Sequence, residues 1–393
     1  MQLNVITAFA IVLFILTAGE LVSIKTKAFV PSVFVSAVLF LIGFWTVLPA
    51  DVITQASFAA PVVYISMYLL LVHMGTLMSV RELLGQWKTV LIAIAGIVGI
   101  CALALTIGRV LFGWEMVIAA TPPLAGGVVA SILMSTAATE KGLTIVAILA
   151  TSVYIMQGFF GYPVTALMLK KEGRRLLKKY RNGEIEYDFE NSEEEKEKQD
   201  KRRLFPPLPE RYQTTYVILL KVGFVAWLAY LASPYLHINQ FVLCLVFGVI
   251  GREIGFLEDH ALNRAGAFGF LMTILMAFIF ANLAQATPEM LAQIALPLFG
   301  LIVLGLIGMG ILSMLVGKLL GYSKEMAFSI AMTALYGFPA DYILTIETAK
   351  SVAENDDEFK YITSQTVPKM LVGGFTTVTI TSVILAGIFV KMI

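Results

Sequence analysis

The stretch Glu115-Met-Val-Ile-Ala-Ala-Thr-Pro-Pro-Leu-Ala-Gly-Gly-Val-Val-Ala-Ser131 decides how this sequence folds, because it interrupts a hydrophobic run that extends from 115 to 138. Two prolines and two glycines stand where a membrane-spanning helix should be most regular. A second apolar stretch, 326 to 346, is interrupted by Tyr336-Gly-Phe-Pro-Ala-Asp341. Unpaired backbone groups are costly in lipid, so such breaks persist only inside protein or beside a wet cavity.

Ten further hydrophobic windows accompany the two breaks, and each is long enough to cross a hydrocarbon layer of ~30 Å. They lie near 3 to 22, 29 to 49, 57 to 79, 88 to 112 and 143 to 169, and near 214 to 232, 238 to 256, 264 to 285, 291 to 320 and 363 to 391. The chain is 58% hydrophobic and only 14% charged, so most of its surface must face lipid. These features predict an all-α integral membrane protein and exclude a soluble one.

The two halves of the chain repeat one pattern at a separation of 211 residues, which is the interval from Gly126 to Gly337. Shifting the first four windows and the first break by this interval predicts starts at 214, 240, 268, 299 and 326. Four of these agree with the starts in the second half, and 299 falls inside the long window 291 to 320. The chain therefore divides into an N-terminal transmembrane repeat, 1 to 169, a charged linker, 170 to 212, and a C-terminal transmembrane repeat, 213 to 393.

Loop charge indicates how the repeats are oriented. Of the 28 Lys and Arg residues, 13 lie in the linker, and cytoplasmic loops carry the excess of basic residues. If each broken stretch enters and leaves by one face, the second repeat is inverted, the linker is cytoplasmic and both termini are outside. We therefore predict two inverted repeats of five transmembrane helices plus one re-entrant hairpin each. This topology places the following residues inside: Lys25, Lys27, Arg81, Lys88, Arg252, Arg264, Lys318, Lys324, Lys350 and Lys360.

Paired breaks in an inverted repeat are typical of a transporter's binding site, where helix N-termini face anions and unwound carbonyls hold cations. We expect the two tips to meet near the midplane. The candidate solute ligands are small or hydroxyl-bearing residues close to the tips: Thr121, Gly126, Gly127, Ser131, Ser135, Thr333, Tyr336 and Gly337. Packing kinks that neighbouring helices satisfy are the alternative interpretation.

Asp341 is the most informative single residue, because a carboxylate near the bilayer centre costs at least ~2.5 kcal/mol and needs a cation or a proton. We expect Asp341, together with Thr345, to hold sodium or to carry a proton. Asp341 could also cap the helix that follows it, and the two roles are compatible. Gln157 and His73, which are also polar residues within apolar windows, are interpreted as structural contacts.

Several function classes are not expected. The net charge of +1 offers no basic surface for nucleic acid. Cys101 and Cys244 lie in separate apolar runs without other metal ligands nearby, so no disulfide, zinc site or organic cofactor is predicted. The chain has no HExxH motif and no Ser or Cys beside a His, so we do not expect an enzyme.

The chain resembles the bacterial sodium/glutamate symporter family and, more distantly, the 2-hydroxycarboxylate carriers. The resemblance covers nearly the whole length and is carried by Leu124-Ala-Gly-Gly-Val-Val-Ala-Ser131 and Ala334-Leu-Tyr-Gly-Phe-Pro-Ala-Asp341. It implies a homodimer with a rigid scaffold and a moving core that holds the hairpins. The chain departs from the family in having Val128 and Val129 after the glycine pair, and no histidine in either hairpin.

Taken together, the residues and the resemblance predict sodium-coupled symport of a small carboxylate or amino acid, such as glutamate, by alternating access in the cell inner membrane. Proton-coupled or antiport transport of another small organic acid is the alternative, with Asp341 as the proton carrier. The expected partners are a small anionic solute, the sodium ion, the lipid bilayer and a second copy of the chain.

Overall fold

The computed structural model describes residues 3–77, 84–183, 204–206, 209–238 and 240–393, and their regular structure is helical. Arg81 and the acidic centre of the linker, Glu193 to Glu195, lie outside the described residues. In the first half the longer helices are α1 (Val5–Lys25), α2 (Ser32–Thr46), α3 (Ala60–Gly75), α4 (Trp87–Phe112), α5 (Trp114–Leu124), α6 (Val128–Glu140) and α7 (Thr144–Arg181).

The second half continues with α8 (Thr215–Leu236), α9 (Gln240–Glu253), α10 (Phe268–Ala281), α11 (Pro288–Leu319), α12 (Lys324–Met332), α13 (Ala340–Val352), α14 (Asp356–Phe375) and α15 (Ser382–Phe389). The described residues include two π-helical turns, Ala104–Gly108 inside α4 and Thr376–Thr381 between α14 and α15. Short helical turns lie at Val52–Gln55, Glu210–Tyr212, Ala261–Arg264, Asn282–Gln285, Thr333–Leu335 and Val390–Met392.

Six helices of the described chain are long and apolar enough to cross a membrane: α1, α4, α7, α8, α10 with its extension to Gln285, and α11. The expectation of an all-α membrane protein is confirmed at this level. Two predicted spans, α2 and α3, are apolar but only 15 and 16 residues long. Both helices begin beside a proline, which lacks an N–H and favours the beginning of a helix. Pro31 is the N-cap of α2, and Pro61 lies in the first turn of α3.

Two helices extend beyond the ends of the hydrophobic windows. α7 runs without a break through the predicted boundary at 169 and ends at Arg181. α14 begins at Asp356 rather than near 363, because Asn355 Oδ1 accepts a hydrogen bond from Glu358 N at 2.9 Å and caps the helix. Three acidic residues in the first turn of α14 also interact favourably with the helix dipole.

The chain forms two compact units, and each takes segments from both halves of the sequence. Unit 1 consists of Met1–Val52, Gln86–Lys179 and Phe280–Ile393, and it contains both broken segments. Inside it, α4 and α11 cross at Gly99 and Gly308, where a side chain on either glycine would collide with the carbonyl of the other.

Unit 2 consists of Ile53–Gly85 and Tyr180–Ile279. His73 is fully buried there, and its Nδ1 accepts a hydrogen bond from Leu262 N at 3.2 Å. This bond supports the interpretation of His73 as a structural contact.

Candidate functional site

The first broken segment folds back on itself. Trp114 Nε1, at its start, donates a hydrogen bond to Met392 O at 3.3 Å, and Lys141 Nζ, at its end, donates to Ile393 O. Since Met392 and Ile393 are neighbours, the two ends of the segment lie side by side, whereas a straight helix of this length would separate them by about 40 Å. Residues 114–141 are named hairpin 1.

The second broken segment also returns to its starting point. Ser323, the N-cap of α12, donates its hydroxyl hydrogen bond to Glu172 Oε2 at 2.6 Å. At the other end of the segment, Val352 lies against Gly173, and Ala349 packs with Leu177. Because α7 supplies both sets of contacts within two turns, the two ends again lie together. Residues 323–352 are named hairpin 2.

The bases of the two hairpins lie at opposite ends of α7. Hairpin 1 leads directly into Thr144, the first residue of α7, while the base of hairpin 2 packs from Glu172 onward. At about 1.5 Å per residue, these two points of a continuous helix are roughly 42 Å apart. That separation exceeds the ~30 Å of a hydrocarbon layer.

The tips of the two hairpins meet at the π-helical turn before α15. A side chain on Gly126 would stand 2.8 Å from Ala334 O, which belongs to hairpin 2. Val378 of the π-helical turn lies against Gly126, Gly127 and Gly337 alike. The structure therefore brings the two sequence breaks into one site.

Glycine makes these tips possible. Gly126 has φ of +119°, Gly127 of +92° and Gly337 of +62°, and residues with a Cβ rarely adopt such angles. Gly127 is the N-cap of α6 and has no side chain that could cap the helix, and the first turn of α6 holds no acidic residue. An uncapped helix N-terminus of this kind attracts anions.

Asp341 lies in the first turn of α13 and is completely buried. Its Oδ1 accepts a hydrogen bond from Tyr342 N at 2.6 Å, while its buried Oδ2 has no hydrogen-bond partner. The N-cap of α13 is Pro339, so Asp341 satisfies one N–H of the first turn without occupying the cap position. The unpaired Oδ2 lies against Gly374 of α14, where any side chain would collide with it. A buried carboxylate oxygen in this state requires a cation or a proton.

The predicted hydroxyl ligands are engaged with the backbone. Each donates to a carbonyl: Thr121 to Val117, Ser131 to Ala150, Ser135 to Ile132, Thr333 to Ile330 and Thr345 to Asp341, at 2.6 to 3.2 Å. Thr121, Ser131, Thr333 and Thr345 are buried, and Ser135 is half-buried. A hydroxyl that donates in this way keeps its oxygen lone pairs available for a cation or for a solute donor.

Tyr336 is held by α7. Its hydroxyl donates to Thr165 Oγ1 at 2.7 Å, its ring lies 5.4 Å from that of Tyr162, and it packs on Gly161. The ring therefore fixes the tip of hairpin 2 against one face of α7.

The sequence reasoning did not identify several residues of this site. Gly374 lies against Asp341, and Gly373 lies against Thr333. Thr377 lies within the π-helical turn and Ser382 directly after it, and both hydroxyls are buried. The available signal was a glycine pair followed by a run of Thr and Ser inside the last hydrophobic window. A π-helical turn in such a place frequently marks a functional site.

A second polar cluster lies on the side of α13 away from Asp341. Glu347 accepts hydrogen bonds from Ser23 Oγ at 3.0 Å, from Ser32 N at 3.1 Å and from Ser32 Oγ. It borders a cavity of about 580 Å³ that Glu20, Lys27 and Lys350 also line. This cavity gives the flank of hairpin 2 a polar surface.

The described residues contain no group of three or more His, Cys, Asp or Glu that could hold a metal ion. A coupling sodium ion in a transporter is bound instead by unwound carbonyls and hydroxyls, sometimes with a carboxylate. Asp341, Thr345 and the carbonyls of the second break are donors of that chemical type.

No protein-family model matches the chain, and no curated protein matches it.

Proposed function

We propose that this protein is a secondary transporter that couples sodium to the movement of a small carboxylate or amino acid across the cell inner membrane. The solute binds where the hairpin tips meet, and Asp341 with Thr345 binds the coupling ion. The observation that carries the proposal is the meeting of two re-entrant segments, based at opposite ends of α7, beside a buried carboxylate oxygen without a partner.

The helix positions support two repeats. Adding the 211-residue interval to the starts of α1, α3, α5 and α6 predicts starts at 216, 271, 325 and 339, and the matching helices begin at Thr215, Phe268, Lys324 and Ala340. α4 predicts a start at 298, whereas its counterpart α11 begins earlier, at Pro288, so the register is kept by the four pairs above, which include both interrupted segments.

Contacts between distant loops support the inverted orientation. Lys88 Nζ donates to Leu320 O at 3.2 Å and Lys170 Nζ to Lys27 O, and both bonds join loops assigned to the inside. Trp45 Nε1 donates to Ala286 O at 2.7 Å, which joins two loops assigned to the outside. The linker is then cytoplasmic, and both termini are outside.

The two helix N-termini at the tips divide the ligands by charge. The first turn of α13 already contains the Asp341 carboxylate, which favours a cation, whereas the first turn of α6 has neither a capping side chain at Gly127 nor an acidic residue. We place the solute carboxylate at the start of α6, and the sodium ion against the Asp341 carboxylate and the carbonyls of the second break. The homodimer implied by the family resemblance completes the proposal.

Proton coupling is the second candidate, because a proton satisfies the lone Oδ2 of Asp341 as well as a sodium ion does. In that mechanism the buried carboxylate is neutral while the solute is bound and loses its proton when the site opens to the other side.

The direct test is uptake of radiolabelled carboxylic and amino acids into proteoliposomes that contain the purified protein. We expect an imposed sodium gradient to drive uptake, and Asp341→Asn to reduce it at least tenfold, since an amide cannot balance the charge of the cation. Sodium should also raise the Tm of the wild-type protein and not that of Asp341→Asn.

The matched control is Asp357→Asn, which removes an exposed carboxylate from the first turn of α14 and should leave uptake unchanged. Uptake driven by a pH gradient in the absence of sodium would show that the proton, and not sodium, is the coupling ion. If neither gradient drives uptake of any acid in the panel, the transport proposal is wrong.

A further inference from the structure

Gln157 is buried in the middle of α7, with 1% of its surface exposed, and its Oε1 has no hydrogen-bond partner. Leaving a buried amide oxygen unpaired costs roughly 1–3 kcal/mol. An aliphatic side chain would fill the same space without that cost. A structural role for Gln157, which the sequence predicts, would require a hydrogen-bond partner for Oε1, and the structure shows none.

The helical period places Gln157 on the face of α7 that meets both hairpins. Ala150 O accepts the hydrogen bond from Ser131 of hairpin 1, while Gly161 and Thr165 receive Tyr336 of hairpin 2. At about 100° per residue, Gln157 projects within roughly 80° of all three of these α7 positions. It stands about 10 Å along the helix from Ala150 and about 6 Å from Gly161.

The general lean of helical side chains directs the Gln157 amide toward the start of α6. Helical side chains lean toward the N-terminus of their own helix, so the head of Gln157 covers the turn between it and Ala150. Ser131, which bonds to Ala150, lies in the first turn of α6, where the proposed function places the solute carboxylate.

We propose that Gln157 is a solute-binding residue whose side-chain carbonyl accepts a hydrogen bond from a donor next to the solute carboxylate. The proposal rests on the transport function above and adds a determinant of specificity to it. Asp341 Oδ2 and Gln157 Oε1 are both buried oxygens without partners, so the loaded site must supply a cation or a hydrogen-bond donor to each. The coupling cation satisfies Asp341, and an ammonium or hydroxyl group of the solute satisfies Gln157.

The test compares acids that differ only in this donor, glutamate with glutarate and malate with succinate, as competitors of uptake into proteoliposomes. One of the two pairs should inhibit uptake more strongly than the other. Within that pair, we expect the acid that carries the donor to inhibit the wild-type protein at a concentration at least tenfold lower than the acid without it. Gln157→Met keeps the length of the side chain and removes the amide, so it should reduce this preference to less than threefold.

Gln285→Met, at an exposed position at the end of α10, is the control and should keep the wild-type preference. A purely structural Gln157 would give a Met variant with altered Tm and an unchanged ratio of inhibition constants, and that result would overturn the inference. Equal inhibition of the wild-type protein by both members of each pair would also overturn it, while leaving the transport function intact. If no acid is transported at all, the proposed function fails instead.

Discussion

Gly126 combines two constraints at one residue, a positive φ and close contact with the backbone of the opposite hairpin. Its φ of +119° costs an alanine roughly 1–2 kcal/mol, and the added Cβ would stand 2.8 Å from Ala334 O, which cannot rotate away. Gly113 shares the positive φ, at +82°, but has no neighbouring atom within 4 Å of such a Cβ. Comparing substitutions at Gly126 and Gly113 therefore distinguishes the cost of backbone strain from the cost of disturbing the contact between the hairpins.

We expect Gly126→Ala to lower the Tm of the detergent-solubilised protein clearly more than Gly113→Ala does. Each variant carries the cost of its φ, and only Gly126→Ala must also move the two tips apart. Thermal unfolding monitored by tryptophan fluorescence measures both. Equal losses would mean that the tips do not touch at Gly126 in the folded protein.

At the scale of elements, Glu347 joins hairpin 2 to the start of α2. Pro31 is the N-cap of α2 and makes no side-chain cap, so the first N–H groups of that helix need another acceptor. The Glu347 carboxylate takes this role from α13 by accepting from Ser32 N and Ser32 Oγ, and it bonds to Ser23 of α1 as well. A single side chain thus links three helices.

Glu347→Ala should destabilise the protein by about 1–3 kcal/mol, because it removes the acceptor for a helix N-terminus and two hydroxyls. Glu140→Ala is the control, since Glu140 is exposed at the corresponding end of hairpin 1 and its loss should cost less than about 0.5 kcal/mol. Denaturant unfolding of both variants gives the comparison. Similar values would show that the Glu347 bonds contribute nothing net.

At the scale of the whole molecule, the proposed topology has the hairpins set the number of crossings, and five crossings per repeat would invert the second repeat. Four single-cysteine variants made without Cys101 and Cys244 test this, each placed at an exposed hairpin base: Glu115→Cys, Lys141→Cys, Lys324→Cys and Lys350→Cys. A membrane-impermeant maleimide added to intact cells should label the first two and not the last two. As a control, Lys324→Cys and Lys350→Cys should be labelled once the cells are permeabilised.

Accessibility of Glu115→Cys and Lys141→Cys from opposite sides would show that the first broken segment spans the membrane. Labelling of all four positions from one side would retain the hairpins and reject the inversion.

Helix positions and breaks could be read from the sequence because they depend on local chemistry. Window length sets which segments can span, and Pro122, Pro123 and the tip glycines interrupt a helix wherever it lies. Charge in the loops also predicts an orientation, which the cysteine labelling above would test. The capped start of α14 was missed because Asn355 acts through its hydrogen bond with Glu358, outside the hydrophobic window.

Only the tertiary structure decided what lies around Asp341 and Gln157. The carboxylate of Asp341 is recognisable in the sequence, but its unpaired oxygen depends on Gly374 of another helix approaching closely. In the sequence Gln157 is only a polar residue in an apolar window. The hydrogen bonds of Ser131 and Tyr336 to α7 show which face of that helix meets the hairpins, and Gln157 lies on that face. Burial and hydrogen bonding in a site depend on residues that are far apart in the chain. The hydrophobic pattern and its spacing therefore determine the helices, whereas the tertiary packing determines the chemistry of the site.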